Sequence, residues 1–355
     1  MRIGNLDLGN KLFLAPMAEV SDSSFRKVCH ENGAGLTFTQ MVSAKGVIQN
    51  DFETLRNLSF NRSEKPVGVQ VLGNYPDTLG EAVKEIAKFK PDLIDLNCGC
   101  PVEKVTMHNL GSALLDDPKR IGILVRSMVD SSGGIPISIK VRLGRDRSHI
   151  NVVEVAEILE DNGGSLIFIH ARTRADKYDS SVEYDWIRKV KESVNIPVVG
   201  NGSLFTPQDV KNLMDNTGCD SAMIARGALG NPFIFSRFNQ FMQTGNDPGE
   251  PDVNTVSEVL LKQIKYLEQE FGETLSLDKV KKHTVWFFRN YPGIEPLLDK
   301  IFSINDMESI RLLIEDHAAK ILNKVYNERK NVEINTKFKK KVLFWLADDY
   351  VQSLG

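Results

Sequence analysis

The chain has 355 residues, of which 41% are hydrophobic and 26% are charged, and its formal net charge is −3. These values are ordinary for a globular protein with a large core, so they argue against an intrinsically disordered chain, and the charge alone does not indicate a nucleic-acid-binding protein. No apolar signal core opens the chain and no run of about 18 apolar residues occurs in it, so we expect a soluble, cytoplasmic protein with no membrane partner.

Cysteine usage gives a further exclusion. Four cysteines in a chain of this length do not form a disulfide framework, and no second pair with zinc-like spacing accompanies Cys98 and Cys100. We therefore expect a reduced protein without a bound metal.

Eight short apolar runs recur along the first two thirds of the chain, and stretches of helical length separate most of them. Eight alternations of strand and helix predict an α/β fold, namely a parallel (β/α)8 TIM barrel. An open doubly wound sheet is the alternative, but the absence of Gly-x-Gly-x-x-Gly after the first run weakens a dinucleotide-binding interpretation. The predicted strands are Leu12–Met17, Leu36–Val42, Pro66–Leu72, Leu93–Leu96, Ile137–Leu143, Leu166–His170, Ile196–Val199 and Ser221–Ala225.

The pattern changes after a segment rich in Gly, Pro and acidic residues, 243–252, because only helical periodicity follows it. We predict a barrel domain over 1–242, a linker over 243–254, and a small all-helical domain over 255–355, with a C-terminal extension from about 320 to 355. The predicted helices are Thr255–Phe271, Lys279–Tyr291, Asn305–Asn327 and Lys337–Ser353.

The fourth predicted strand ends in the most informative stretch of the sequence. Asn97 and Cys100 follow an apolar run, and Gly99 and Pro101 end that run abruptly. The proline favours an extended backbone at Cys100, which fixes the direction of its sulfur. A thiol held at a strand end can exchange a proton with a ligand, although free cysteines are more often small buried hydrophobic residues.

Polar and small residues gather at the other predicted strand ends, where TIM barrels carry their functional sites. Glycine-rich turns after strands seven and eight commonly bind phosphate, and cations on the same rim predict a cofactor with one phosphate and a redox ring, flavin mononucleotide (FMN). Ordinary tight turns and solvated arginines are the alternative. The residues are Pro16, Met17, Ala18, Gln70, Lys140, Arg142, His170, Arg172, Arg174, Asn201, Gly202, Ser203, Ala225, Arg226 and Gly227.

Lys140 would either stabilise charge on the flavin or form a structural salt bridge.

Taken together, these motifs resemble those of the tRNA-dihydrouridine synthase family, and the bacterial B-type branch most of all. The resemblance covers roughly residues 1 to 317 and is specific, because the strand-four motif occurs together with His-x-Arg-Thr-Arg. The matching segments are Leu14–Ala18, Asp95–Pro101 with Lys104 and Val105, Gly111–Leu115, Lys140–Arg142, Ile169–Arg174, Gly200–Gly202, Met223–Gly227, and Lys282 and His283 followed by Trp286 and Phe302.

The resemblance implies an FMN enzyme that reduces the C5–C6 double bond of particular uridines in tRNA, with NADPH as electron donor. Cys100 would be the general acid that protonates C5 after hydride moves from the flavin to C6. Asn97 and Arg142 would contact the uracil, and Arg174 is a further predicted substrate contact. The predicted cofactor-binding residues are Pro16, Met17, Ala18, Gln70, Lys140, His170, Asn201, Gly202, Ser203, Ala225 and Arg226.

Two departures from the family pattern matter. Cys98 stands where the family usually has an apolar residue, and we expect the strand to turn it away from the site. The extension beyond the family match carries Lys339, Lys340 and Lys341 near Phe344 and Trp345. Basic residues beside aromatic ones could bind RNA, but a helix that packs on its own domain is the interpretation we favour. A ribosomal RNA substrate is the alternative to tRNA, and we expect a monomer.

Two other functions compete with this one. A barrel similar to dihydroorotate dehydrogenase would act on a free pyrimidine, but a small substrate needs no helical RNA-binding domain over 255–355. The cluster in that domain that argues against this alternative is Lys279, Lys281, Lys282, His283 and Arg289. A non-catalytic RNA-binding module or chaperone would not need Cys100, Lys140 and His170.

Overall fold

A computed structural model describes residues 1–3, 6–9 and 12–324. The strands of this part are β1 (Arg2–Ile3), β2 (Leu6–Asp7), β3 (Phe13–Leu14), β4 (Thr37–Phe38), β5 (Val42–Ser43), β6 (Val67–Leu72), β7 (Leu93–Cys98), β8 (Ile137–Arg142), β9 (Leu166–His170), β10 (Val198–Asn201) and β11 (Ser221–Ile224). The helices are α1 (Ser23–Glu31), α2 (Ala44–Ile48), α3 (Phe52–Leu58), α4 (Pro76–Lys88), α5 (Glu103–Thr106), α6 (Pro118–Ser131), α7 (Val152–Asp161), α8 (Asp185–Ser193), α9 (Pro207–Thr217), α10 (Ile234–Thr244), α11 (Val253–Phe288), α12 (Ile294–Ile301) and α13 (Met307–Leu322).

The main sheet is a nearly closed parallel barrel. Its strand order is β3-β11-β10-β9-β8-β7-β6-β4, and β5 pairs with β6 beyond the end of β4. A parallel bridge between Phe13 and Leu36 joins the first and second strand positions, where Leu14 N donates to Leu36 O at 2.9 Å. The barrel with its surrounding helices confirms the predicted fold class.

The strands nearest the closure are shorter than predicted. The first predicted strand is reduced to Phe13 and Leu14. Ala15 N still donates to Ile224 O at 2.8 Å, but Pro16 has no N–H with which to continue the pattern. The second is divided into β4 and β5, and between them the side chain of Gln40 accepts from Glu19 N and donates to Asn57. The fourth extends to Cys98, two residues beyond its predicted end at Leu96.

Aromatic side chains fill the barrel interior. Phe168 meets Phe13 and Phe38 edge to face, at centroid distances of 6.2 and 5.4 Å, and all three are fully buried. Gly68 makes room for them, because a Cβ there would lie 2.4 Å from the Phe38 ring. Side chains two residues further along a strand point the same way. His170, two residues after Phe168, therefore faces the space above this aromatic layer.

The region after the barrel is helical, as predicted, but its helices differ in detail. Gly272 breaks α11 with φ 72° and ψ 169°, and a second helical stretch follows at once rather than at Lys279. α12 was not predicted, and α13 is shorter than the predicted Asn305–Asn327. The predicted helix Lys337–Ser353 lies outside the described residues, as does nearly all of the extension. Among the described residues, no helix has the length and apolarity to cross a membrane.

The helical region packs on the barrel at α1 and at the loop that follows β3. Ser24 N donates to Glu270 Oε2 at 3.1 Å, and Lys282 Nζ donates to Glu19 O at 2.8 Å. Lys279 Nζ lies 3.3 Å from the buried carboxylate of Asp22. α11 thereby contacts the loop next to the first strand end. The domain boundaries given above remain a prediction.

Candidate active site

One cavity lies at the carboxyl ends of the barrel strands and encloses about 1190 Å³, part of it open to solvent. All of the residues predicted for catalysis, cofactor and substrate line it, except Arg174. It is also lined by residues that the sequence did not single out, among them Val102, Tyr178, Leu204 and Phe205.

The Cys100 thiol is fixed by hydrogen bonds around its backbone. Asn97 Oδ1 accepts from Cys100 N at 2.9 Å and from Gly99 N at 3.1 Å, and Cys100 O accepts from Ser112 N at 2.9 Å. A Cβ on Gly111 would lie 2.7 Å from Cys100 O, so this approach requires glycine. Burial raises the pKa of the Cys100 thiol above its usual value of 9.0, against the lowering effect of Arg142. The group is therefore protonated at neutral pH.

Cys98 is separate from the cavity. It pairs in register with Val141, is fully buried in the apolar core, and does not line the site. Alternation along β7 therefore turns its side chain away from the site, as the sequence predicted.

A chain of buried side chains orients the Asn97 amide. Asp95 Oδ2 accepts from Gln70 Nε2 at 2.7 Å, and Gln70 Oε1 accepts from Asn97 Nδ2 at 2.8 Å. Asp95 Oδ1 accepts from Ser138 Oγ at 2.7 Å. Burial raises the pKa of Asp95 to about 6, although both hydrogen bonds oppose it. Sequence reasoning gave Asp95 no role, although this residue opens the matching segment Asp95–Pro101. The available signal was a charged residue inside an apolar run.

Lys140 lines the cavity without a polar partner. Within the part of the chain that the structure describes, its ammonium makes neither a hydrogen bond nor an ion pair. Burial, followed by repulsion from Arg142, lowers its pKa to about 8, while Asp95 and Cys100 oppose that shift. The structural salt bridge considered from the sequence is thus not seen among the described residues. A half-buried cation with no partner suits an anionic or carbonyl-bearing ligand.

His170 and Arg142 form the next part of the wall. Burial, with four neighbouring cations adding to it, lowers the pKa of His170 well below 6.5, so its imidazole is neutral. Arg142 Nε donates to Gly99 O at 3.1 Å, and its Nη1 donates to Thr173 O at 2.6 Å. Arg142 thus connects the Cys100 turn to the loop that follows β9.

Tyr178 lies in this loop between β9 and α8. Its ring stacks on the His170 imidazole at a centroid distance of 6.2 Å and an angle of 19°. The guanidinium groups of Arg226 and Arg142 lie 4.9 and 5.6 Å from the ring centroid. An aromatic residue shortly after the His-x-Arg-Thr-Arg motif was the only sequence signal for it.

The turns after β10 and β11 present backbone donors to the cavity. In the described part of the chain, the N–H groups of Gly202, Ser203 and Gly227 have no hydrogen-bond partner. A Cβ on Gly227 would lie 2.1 Å from Leu204 O, so the two turns approach too closely for a larger residue. Unpartnered N–H groups on adjoining turns make an anion site.

Arg174 lies apart from this lining. Its Nη1 is 2.7 Å from Asp116 Oδ2, and Nη1 is also 3.5 Å from Ser112 O. This ion pair fastens the loop after β9 to the segment that follows Cys100.

No group of three or more His, Cys, Asp or Glu side chains among the described residues could hold a metal ion.

Comparisons with known proteins give a consistent result. The family model for dihydrouridine synthase (Dus) matches residues 13–324. The tRNA-dihydrouridine synthase B of Pasteurella multocida is 34% identical over 296 residues, which cover 83% of this chain and 88% of that protein. The protein of the same name from Pseudomonas aeruginosa is 32% identical over 309 residues, which cover 87% of this chain and 93% of that protein.

Solved structures of other proteins share the fold. An old yellow enzyme homologue from Zymomonas mobilis aligns with a TM-score of 0.52 at 12% identity, covering 72% of this chain and 94% of that one. Histamine dehydrogenase from Rhizobium sp. 4-9 aligns with a TM-score of 0.54 at 15% identity, covering 75% of this chain and 50% of that one. At such identities the likeness concerns the barrel fold alone.

Proposed function

Because the chain belongs to the dihydrouridine synthase family, we propose that it reduces the C5–C6 double bond of specific uridines in tRNA, with FMN as cofactor and NADPH as electron donor. The observation that carries the proposal is one cavity in which a protonated thiol, an oriented amide and an unpartnered ammonium meet, at Cys100, Asn97 and Lys140. The names of the relatives support tRNA as the substrate, and ribosomal RNA is the alternative.

The chain's own groups fit FMN. The phosphate would be bound by the unpartnered N–H groups of Gly202, Ser203 and Gly227, together with the cation of Arg226. The small residues after β3 would allow a flat ring to lie against the backbone. The residues that would hold the cofactor are Pro16, Met17, Ala18, Gln70, Lys140, His170, Asn201, Gly202, Ser203, Ala225 and Arg226.

When bound, FMN would supply the reducing equivalents that saturate the C5–C6 bond. Lys140 would stabilise negative charge at the pyrimidine edge of the ring, since it is a cation with no other partner among the described residues. The neutral imidazole of His170 would accept or donate a hydrogen bond there without adding charge.

Cys100 would donate its Sγ proton to C5 of the uracil. A general acid must be protonated at the working pH, and burial keeps this thiol so. Asn97 would keep the donor in place, because its Oδ1 accepts from the Cys100 N–H. Asn97 and Arg142 would also contact the uracil, and Arg174 would contact the RNA outside the cavity, where it pairs with Asp116.

Reduction of a base in folded RNA requires that the base leave its stack to enter the cavity. The predicted helical domain from 255 onward would bind the RNA, because α11 contacts the loop beside the cavity through Lys282. We propose a cytoplasmic monomer, as expected from the sequence.

The test compares a strain that lacks the gene with its parent, by mapping dihydrouridine at each site in tRNA and ribosomal RNA. Loss at a tRNA position, restored by the purified protein with NADPH, is the expected result. Loss of dihydrouridine only at a ribosomal RNA site would support the proposed reaction and identify ribosomal RNA as the substrate. A purified protein that binds no flavin and reduces no RNA would contradict the proposal and favour a non-catalytic RNA-binding role.

A further inference from the structure

Tyr178 is the one aromatic side chain over which two of the proposed ligand-binding arginines lie, among the residues that the structure describes. The Arg226 guanidinium is 4.9 Å from its ring centroid and that of Arg142 is 5.6 Å from it. These arginines come from the ends of two different strands, β11 and β8. The ring is half-buried and lines the cavity.

The loop of Tyr178 also binds both arginines through its backbone. Arg226 Nη2 donates to Tyr178 O at 3.0 Å, and Arg142 Nη1 donates to Thr173 O at 2.6 Å. Asp176 stiffens the loop, since its Oδ2 accepts from Thr173 N and from Thr173 Oγ1 at 2.9 Å each. The position of one loop therefore sets the position of both guanidinium groups.

Electrostatics explains why an aromatic ring is needed at this point. Several cations crowd the rim, so the guanidinium groups repel each other. The pKa of Arg172 is lowered first by burial and then by repulsion from Arg226 and Arg142. The negative faces of an aromatic ring attract cations and offset that repulsion. The Tyr178 hydroxyl makes no hydrogen bond within the described residues. The side chain therefore contacts the two arginines through its ring.

We propose that Tyr178 is a positioning residue, which holds Arg226 toward the phosphate of FMN and Arg142 toward the uracil. The inference rests on the proposed function, because it takes FMN and uracil as the ligands. It extends that function because Tyr178 would contribute to recognition of the phosphate through Arg226, without itself contacting the phosphate.

The experiment titrates the full-length protein, freed of flavin, with FMN and separately with riboflavin, which lacks the phosphate. Because the effect passes through Arg226, Tyr178→Leu should lower the affinity for FMN about tenfold and that for riboflavin less than about twofold. Tyr178→Phe should bind both flavins like the wild type. The matched control is Tyr75→Leu, at a tyrosine that is 65% exposed and does not line the cavity, and it should change neither affinity.

A double variant tests the path of the effect. Tyr178→Leu combined with Arg226→Met should bind FMN no more weakly than Arg226→Met alone, because the ring acts through that arginine. If Tyr178→Leu does not fold, Tyr178→Met replaces it as an unbranched side chain without a ring.

Three outcomes would overturn the inference: an unchanged FMN affinity, an equal loss for both flavins, or a Phe variant as weak as the Leu variant. A wild-type protein that binds neither flavin would instead overturn the proposed function. The two failures are therefore distinguishable.

Discussion

At the scale of single residues, two cysteines one residue apart have opposite environments. Cys100 lines the cavity with its N–H bonded to Asn97, whereas Cys98 is fully buried in the core. The difference arises from strand alternation and from the turn made by Gly99 and Pro101. Only one of the two thiols can therefore meet a ligand.

Replacement of the cavity thiol should separate two half-reactions. In Cys100→Ala, uridine reduction should fall by about a hundredfold or more, since a general acid contributes on that order. Flavin binding and NADPH oxidation should persist. The measurement is dihydrouridine yield beside NADPH consumption. Cys98→Ala is the matched control and should retain activity. An unchanged yield in Cys100→Ala would exclude the thiol as proton donor.

At the scale of elements, the turns after β10 and β11 depend on each other. Gly227 approaches the backbone carbonyl of Leu204, where a Cβ would lie at 2.1 Å. Because the clash involves backbone rather than the end of a flexible side chain, one turn has to move. In the proposed function, the two turns would thus act together as a single anion site.

Gly227→Ala should therefore weaken FMN binding by about tenfold or more, since it separates the donors that would share one phosphate. The measurement is quenching of flavin fluorescence on binding. Gly99→Ala is the comparison variant and should weaken FMN binding less. Its Cβ would lie 3.2 Å from Lys140 O, a milder contact than that at Gly227 and one away from the phosphate turns. Equal effects of the two variants on FMN affinity would contradict a phosphate site at Gly227.

Strands and site residues could be predicted from sequence where the pattern is local. The middle strands β6 to β9 lie in short runs in which apolar residues alternate with or outnumber polar ones. The C-terminal ends of parallel strands share one face of the barrel, which brought Gln70, Lys140 and His170 together. Tyr178 and Asp95 could not be found in this way. The direction of a loop side chain such as Tyr178 depends on tertiary packing, and Asp95 acts through the hydrogen bonds of its neighbours.

Two further differences have physical causes outside any local window. Arg174 was grouped with the cavity residues by its motif, but Asp116, far away in sequence, pairs with its guanidinium at the rim. The continuation of α11 beyond Gly272 is stabilised by Ser276, whose Oγ donates to Gly272 O at 2.6 Å. Neither the Arg174–Asp116 pair nor the Ser276–Gly272 hydrogen bond can be inferred from hydrophobic periodicity.

At the scale of the whole molecule, a group of charges lies where α11 meets the barrel. Glu270 accepts from Ser24 N, and its pKa is raised to about 7 by burial and then by Asp22, with Glu64 adding to the shift and Arg26 opposing it. The unfolded chain would have the ordinary value of 4.5. The stability that comes from this bound proton is full below pH 4.5 and is lost as the pH rises through about 7.

Glu270→Gln should remove this dependence, because an amide keeps the acceptor for Ser24 N without a charge. The melting temperature at pH 8 should rise by about 2 °C or more over the wild type, with no gain at pH 5. Glu273→Gln, at an exposed position on the same helix, is the matched control. The measurement is thermal unfolding at both pH values. A gain of equal size at pH 5 would contradict the raised pKa.

The contact between Ser24 and Glu270 joins residues 246 positions apart. At about 5–20 residues per second, a ribosome takes roughly 12–50 s to synthesise the chain between them. During that time α1 has emerged, and the buried surface that it shares with α11 has no partner. This surface of α1 therefore stays exposed on the nascent barrel until the last third of the chain has been synthesised. The rate of translation then sets the time during which a chaperone can bind it.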